Sequence, residues 1–335
     1  MTYLLQPLKV RSMTLANRLV MPPMATAKAE LDGTVSQALL DYYEEKSRGG
    51  YISLIIIEHS YISPEGKASE NQLSVSDDAM IPGLRKLAEV IHRNGSRAAM
   101  QINHAGSAAL KEVTGTTPVG PSATANPRRG DTPRELSRKE IDGIVNAFKD
   151  AARRVKDAGF DAVEIHSAHG YLLNQFLSPL TNKRTDEYGG NIANRIRIHL
   201  QVIEAVRSAV GPDFPVQVRL GASDYTEGGT TIEDSKIVGQ AFAQAGVDII
   251  HISGGFVGYT PPGPTGQGYF APLSEAVKSA AAIPVILTGG IIEIEAAEKF
   301  LAEKKADLIG VGRAILQDSA WAERAIKNLR SKEGL

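Results

Sequence analysis

The chain has 335 residues, with 37 lysines and arginines against 38 aspartates and glutamates and a formal net charge of -1. Near neutrality leaves no electrostatic footprint for nucleic acid or an anionic membrane surface. There is no cysteine, which excludes disulfides, thiolate nucleophiles, Cys-ligated zinc and iron–sulfur clusters. The opening residues, MTYLLQPLKVRS, lack the apolar core of a secretory signal. The longest apolar run, ISLIII (52–57), is too short to span a bilayer. A cytoplasmic protein is expected.

The first 16 residues (MTYLLQPLKVRSMTLA) read as a short hairpin preceding the main fold and plugging its N-terminal end. A strand-then-helix rhythm then repeats eight times, the pattern of a parallel sheet with crossover helices and, at that count, of a closed TIM (β/α)8 barrel. The strand candidates are NRLVMPPM (17–24), ISLIIIE (52–58), RAAMQIN (97–103), DAVEIH (161–166), PVQVRL (215–220), DIIHIS (248–253), PVILTGG (284–290) and ADLIGVG (306–312). Each is a short, apolar, often β-branched run, which suits a strand buried on both faces. Helical stretches lie between them, at 36–50, 82–95 and 138–159 among others, and Gly95, Gly159 and Gly246 stop three of them just before the next strand. Residues 104–137, rich in Gly, Pro, Ser and Thr, form a long excursion after the third strand. Such a loop is functional or carries strands of its own. No composition break marks a second domain, so residues 1–335 are read as one barrel domain.

Barrel chemistry sits at the C-terminal ends of the strands. The exits deliver Pro23, Met24 and Ala25; Glu58 and His59; Gln101, Asn103 and His104; His166, His169 and Tyr171; Arg219; Ser253 and Gly254; Gly289 and Gly290; Gly312 and Arg313. Glycines ending the last two strands, each close to a following helix, predict a phosphate cradle. Two imidazoles three residues apart, with a phenol two further on, can hold and transfer protons. Taken alone, an HxxH pair is more often ordinary polarity, and as a metal pair it wants a third ligand. Arg219 alone could equally pair with an acid inside the barrel, Gln101 could be a satisfied buried amide, and the glycines could serve only tight turns.

The run FLSPLTNKRTDEYGGNIANRIR (176–197) closely resembles the signature of the Old Yellow Enzyme family, FMN-dependent NAD(P)H oxidoreductases on a TIM barrel. The resemblance extends in order through NRLVMPPM (17–24), QINHAG (101–106), HSAHGYL (166–172), VRLGASDYTEGG (218–229), LTGGI (287–291) and GVGRAIL (310–316), and so covers nearly the whole chain. It implies bound FMN with NADH or NADPH as hydride donor. By the same resemblance Gln101 meets the pyrimidine edge of the flavin and Arg219 lies near N1/O2. Pro23, Met24 and Ala25 supply backbone contacts, and Gly290, Gly312 and Arg313 hold the phosphate. His166 and His169 match the pair that binds the substrate carbonyl, and Tyr171 matches the proton donor. The implied reaction is reduction of the activated C=C bond of an α,β-unsaturated carbonyl compound. The charged run KRTDEYGG (183–190) is implied to be a structural loop at the edge of the site.

This sequence departs from the family pattern in three places. Ala25 stands where many members carry Thr or Cys, ATAKAE (25–30) lacks a Tyr found in one subgroup, and His59 occupies a position where a small residue is common. From the zero cysteine count and short C-terminus, the chain is expected to stand apart from larger relatives carrying an iron–sulfur cluster. Family members are often oligomers, so a homo-oligomer is expected, with a small-molecule substrate and neither nucleic acid nor membrane as partner. In loop 254–270, Phe256, Tyr259, Tyr269 and Phe270 are candidates to line the pocket. Two alternatives stay open on these residues. One keeps the flavin but passes electrons to quinones, nitro compounds or oxygen. The other is a cofactor-free phosphate-binding aldolase or isomerase, which would need a lysine or carboxylate base at a strand exit.

Overall fold

The computed structural model describes residues 2–127, 132–263 and 265–334. Eight parallel strands close into a barrel: Leu19–Met21, Leu54–Tyr61, Arg97–Asn103, Ala162–Ser167, Val216–Gly221, Ile249–Ser253, Val285–Leu287 and Leu308–Gly310. Each pairs with the next, and the eighth returns to the first through Ile309 against Leu19. The expected (β/α)8 barrel is therefore what forms; exits such as Pro22–Met24 and Thr288–Gly290 leave the ladder early, whereas the second strand runs three residues beyond its expected end, to Tyr61.

Side chains along each strand alternate between two environments, as period two demands. Residues of one parity (Leu19, Ile55, Met100, Val163, Val218, Ile250, Leu287) pack outward against the helices in one continuous core. Those of the other parity (Val20, Leu54, Ile56, Ala99, Ala162, Ile249, Ile286, Leu308) meet inside the barrel. The hairpin of Leu8–Val10 and Met13–Leu15 adds Val10, Met13 and Leu15 to this inner cluster and seals the N-terminal end.

The helices begin where local chemistry starts them. Ser137 and Glu140 form a capping box at the head of Arg138–Asp157, and Thr231 with Asp234 does the same for Ile232–Gln244. Gly95, Gly159 and Gly246 end their helices at φ of +92°, +88° and +97°, a region open to glycine at little cost. The excursion after the third strand contains a short helix, Lys111–Thr114, and a two-stranded pairing of Val119–Gly120 with Arg134–Glu135. Its residues 128–131 lie outside the described residues, as does Pro264 of the loop at 254–270.

Arg184 shows how this excursion is held. Its guanidinium is buried, pairs with Asp186, and donates to the carbonyls of Pro121 and Leu136. The KRTDEYGG run is thus a structural clamp at this arginine, not a solvated face. Among the described residues no helix is long and apolar enough to cross a membrane.

Candidate active site

A cavity of about 500 Å³ opens at the C-terminal end of the barrel, within the range typical of small-molecule sites. The eleven residues to which the resemblance gives a role all line it: Pro23, Met24, Ala25, Gln101, His166, His169, Tyr171, Arg219, Gly290, Gly312 and Arg313. Segments far apart in the chain supply them because every strand exits at this end. Asn103 and His104 are buried but do not line the cavity. The loop at 254–270 divides its aromatics: Tyr259 and Tyr269 line the cavity, whereas Phe256 and Phe270 are buried elsewhere. Phe256 turns inward because its backbone N–H donates to the buried carboxylate of Asp224.

The histidine pair and Tyr171 are assembled by one sharp turn. His166 is the last residue but one of the fourth strand; His169 then takes φ +60° and Gly170 φ +74°, and Tyr171 leads into the helix Leu172–Leu177. A left-handed non-glycine residue at such a turn is costly and persists where the surroundings enforce it. Here the His169 N–H donates to the Gly254 carbonyl and Asn174 Oδ1 accepts from the Gly170 N–H. The rings of His166 and His169 lie 5.1 Å apart, nearly perpendicular, and the Tyr171 ring is also 5.1 Å from His166.

Protonation states follow from the hydrogen bonds. The Ala168 N–H donates to His166 Nδ1 at 3.2 Å, so in the neutral ring the proton sits on Nε2. Burial, reinforced by His169 and the Arg219 cation, holds His166 well below the ordinary histidine range. His169 Nε2 lies 2.7 Å from Ser253 Oγ, which orients the second ring.

Under the cavity lies a polar layer inside the barrel. Gln101 Nε2 donates to Glu164 Oε1 at 2.7 Å, and His251 Nδ1 meets Glu164 Oε2 at 2.8 Å. Arg219 is buried beside them, its pKa lowered to about 10 by burial although the Glu164 carboxylate opposes the shift. Neither Glu164 nor His251 was among the residues named from the sequence. The signal was there: an acid inside DAVEI and a histidine inside DIIHIS are polar residues in strands buried on both faces.

A bound FMN fits these residues on three counts. Arg219 Nε is buried with no hydrogen-bond partner among the described residues, a donor in need of an acceptor. Gln101 has its amide nitrogen tied to Glu164 and lines the cavity, so its carbonyl is left to meet a ring edge. At the glycine rim, Gly289 and Gly290 adopt φ of +129° and +66°, and a Cβ at Gly290 would lie 2.8 Å from the Tyr269 ring. Arg313 Nη2 donates to Tyr269 Oη at 3.0 Å, which sets a cation at that rim.

A barrel whose end cavity brings together a glycine rim, a buried cation and an imidazole–phenol cluster has the groups a phosphate-bearing redox cofactor needs. The model of the NADH:flavin oxidoreductase / NADH oxidase family matches residues 3–332, and the chain belongs to this family. It is 42% identical over 323 residues to an NADH oxidase of Thermoanaerobacter brockii, a match covering 95% of this chain but only 50% of that protein. The chain thus spans about half the length of that relative. It is 39% identical over 331 residues to an NADPH dehydrogenase of Listeria monocytogenes, covering 98% of this chain and 96% of that one. Among solved structures, morphinone reductase in complex with tetrahydroNAD is 30% identical with a TM-score of 0.84, covering 97% of this chain and 90% of that one. Of these two sequences the longer is the more similar. The cofactors of the family are FMN and NADH or NADPH, and the fold is that of the Old Yellow Enzymes.

Proposed function

We propose that the chain reduces the activated C=C bond of α,β-unsaturated carbonyl compounds at the expense of NADH or NADPH. The observation that carries this reading is His166, locked as an Nε2–H donor, with His169 and Tyr171 grouped around it above the buried Gln101 and Arg219. Binding a flavin does not by itself require such a cluster. Bound FMN would supply two-electron hydride-transfer chemistry between NAD(P)H and the acceptor.

The chain's own residues do the rest. Gln101 and Arg219 would hold the cofactor's polar edge, Pro23, Met24 and Ala25 its ring system, and Gly290, Gly312 and Arg313 its phosphate. His166 and His169 hold the carbonyl oxygen of the acceptor, where negative charge grows as the β carbon is reduced. A neutral imidazole suits this role, because it donates a hydrogen bond without surrendering its proton. Tyr171 gives its phenolic proton to the α carbon. One NAD(P)H and one proton are consumed for each C=C bond saturated.

The relative named NADH oxidase supports a second reading in which oxygen is the acceptor. The cofactor-free aldolase reading has less support, since no lysine is found among the residues that line the cavity. Replacing Tyr171 by Phe tests the main proposal. Reduction of cyclohex-2-enone is expected to slow by roughly a hundredfold or more, with a far smaller change in the bleaching of the FMN band by NADPH. Equal slowing of both half-reactions would overturn the proton-donor role. A wild-type protein that consumes oxygen readily but leaves enones untouched would favour the oxidase reading.

A further inference from the structure

His59 reaches the cavity through an irregularity in the second barrel strand. Ile57 pairs with Met100, but the next pairs are Ser60 with Ile102 and Tyr61 with Asn103. The second strand therefore advances three residues while the third advances two, and Glu58 and His59 together stand opposite Gln101. This is a β-bulge, which re-aims side chains and recurs beside active sites. Without it the alternation that points Leu54 and Ile56 inward would turn His59 out toward the helices. With it, His59 lines the cavity, its ring 5.3 Å from Tyr171 and 6.3 Å from His166.

Its tautomer is determined by a neighbour. Gln72 is buried, and its Oε1 accepts from the Ala68 N–H at 2.6 Å. Its Nε2 donates to the His59 carbonyl at 3.0 Å and meets His59 Nδ1 at 2.7 Å. Two backbone groups thus fix which end of the amide is which, one a donor and one an acceptor only. Since Gln72 Nε2 can only donate, Nδ1 of His59 must accept, and a neutral ring carries its proton on Nε2. Burial and the Arg219 cation push the His59 pKa down to about 4, so the ring is neutral near pH 7.

We infer that His59 is a specificity-determining residue: its Nε2–H recognises a second hydrogen-bond acceptor carried by the alkene, beside the carbonyl held by His166 and His169. The inference rests on the alkene-reduction reading above. With donor–acceptor separations near 2.9 Å, donors on rings this close converge on one small substrate. The class selected is an alkene flanked by two carbonyl groups, such as a cyclic imide or an enedione. An alkene with a single carbonyl leaves the His59 N–H facing carbon, and a site built to bond a polar group discriminates against the analogue lacking it.

The test compares two five-membered substrates on the FMN-loaded enzyme with NADPH: N-methylmaleimide, with two carbonyls, and cyclopent-2-enone, with one. The quantity read is the ratio of their kcat/KM values, from which any loss of folded enzyme cancels. His59→Phe keeps a ring of similar size and removes the N–H; the ratio is expected to fall by roughly tenfold to a hundredfold. Gln72→Leu releases the tautomer and is expected to lower the ratio by a smaller factor. A ratio unchanged in His59→Phe would mean that the ring only fills space, and would overturn the inference while leaving alkene reduction intact. A wild-type enzyme that reduces neither compound would overturn both.

Discussion

The two halves of the barrel interior are built on the same strands and the same inward parity, yet they are chemically opposite. Toward the N-terminal end, Val20, Leu54, Ile56, Ala99, Ala162, Ile249, Ile286 and Leu308 close against the hairpin as a purely apolar cluster. One step of the alternation further, roughly 7 Å along each strand, stand Gln101, Glu164 and His251, and one more brings His166. The lower half needs nothing beyond packing. The upper half buries an acid, a cation and amides, and leaves Arg219 Nε, His251 Nε2 and the Gln217 amide without hydrogen-bond partners among the described residues. Burial of polar groups at that density costs stability unless something satisfies them. The comparison teaches where stability and chemistry are separated in this fold, and three substitutions test the boundary.

The largest effect is expected at Glu164, the acceptor shared by Gln101 and His251. Glu164→Leu strips both of their partner and leaves the Arg219 cation with no opposing charge beside it. Unfolding free energy measured in urea should fall by about 3–5 kcal/mol, with weaker retention of FMN on dialysis. A variant as stable as wild type would show that the upper layer is satisfied some other way.

Glu58 sharpens the comparison through pH. Burial raises its pKa from an ordinary 4.5 to about 7, against the lowering effect of its bonds from Thr26 Oγ1 and N–H. A carboxyl raised in the folded state favours folding when protonated. Its contribution is therefore fully present below about pH 4.5 and is lost as pH rises through 7. The stability of wild type minus that of Glu58→Gln should decline by about 3 kcal/mol between pH 4.5 and pH 8. His59, with its lowered pKa, changes in the opposite sense in acid but is common to both proteins and drops out. A difference that is flat with pH would remove Glu58 from the titrating part of the upper half.

The smallest effect belongs to the lower half. Ile56→Val deletes one methyl group from the apolar cluster and should cost roughly 0.5–1.5 kcal/mol. FMN affinity and the NADPH half-reaction should stay near wild type. A large loss of FMN affinity from this change would mean that the two halves are mechanically coupled.

Much of this architecture is legible in the linear chain. Apolar runs of strand length, helices stopped by glycine and polar residues at the run exits place Gln101, His166, Arg219, Gly290 and Gly312 at one end of a barrel. Local patterns suffice there because alternation and helix capping act over a few residues. Glu164 and His251 were visible as polar interruptions of buried strands. Their partnership was not, because 87 residues separate them and only closure of the sheet brings them together.

The barrel and the end that carries the chemistry follow from the linear chain because they rest on short-range periodicity, and the family is carried by contiguous motifs. The face that His59 shows emerges only on folding, because a single extra residue in one strand inverts the alternation. Folding likewise decides that Arg184 is buried, that Phe256 and Phe270 leave the pocket to Tyr259 and Tyr269, and that Gln72 sets the tautomer of His59. Each of these depends on contacts between segments that meet only when the chain closes on itself.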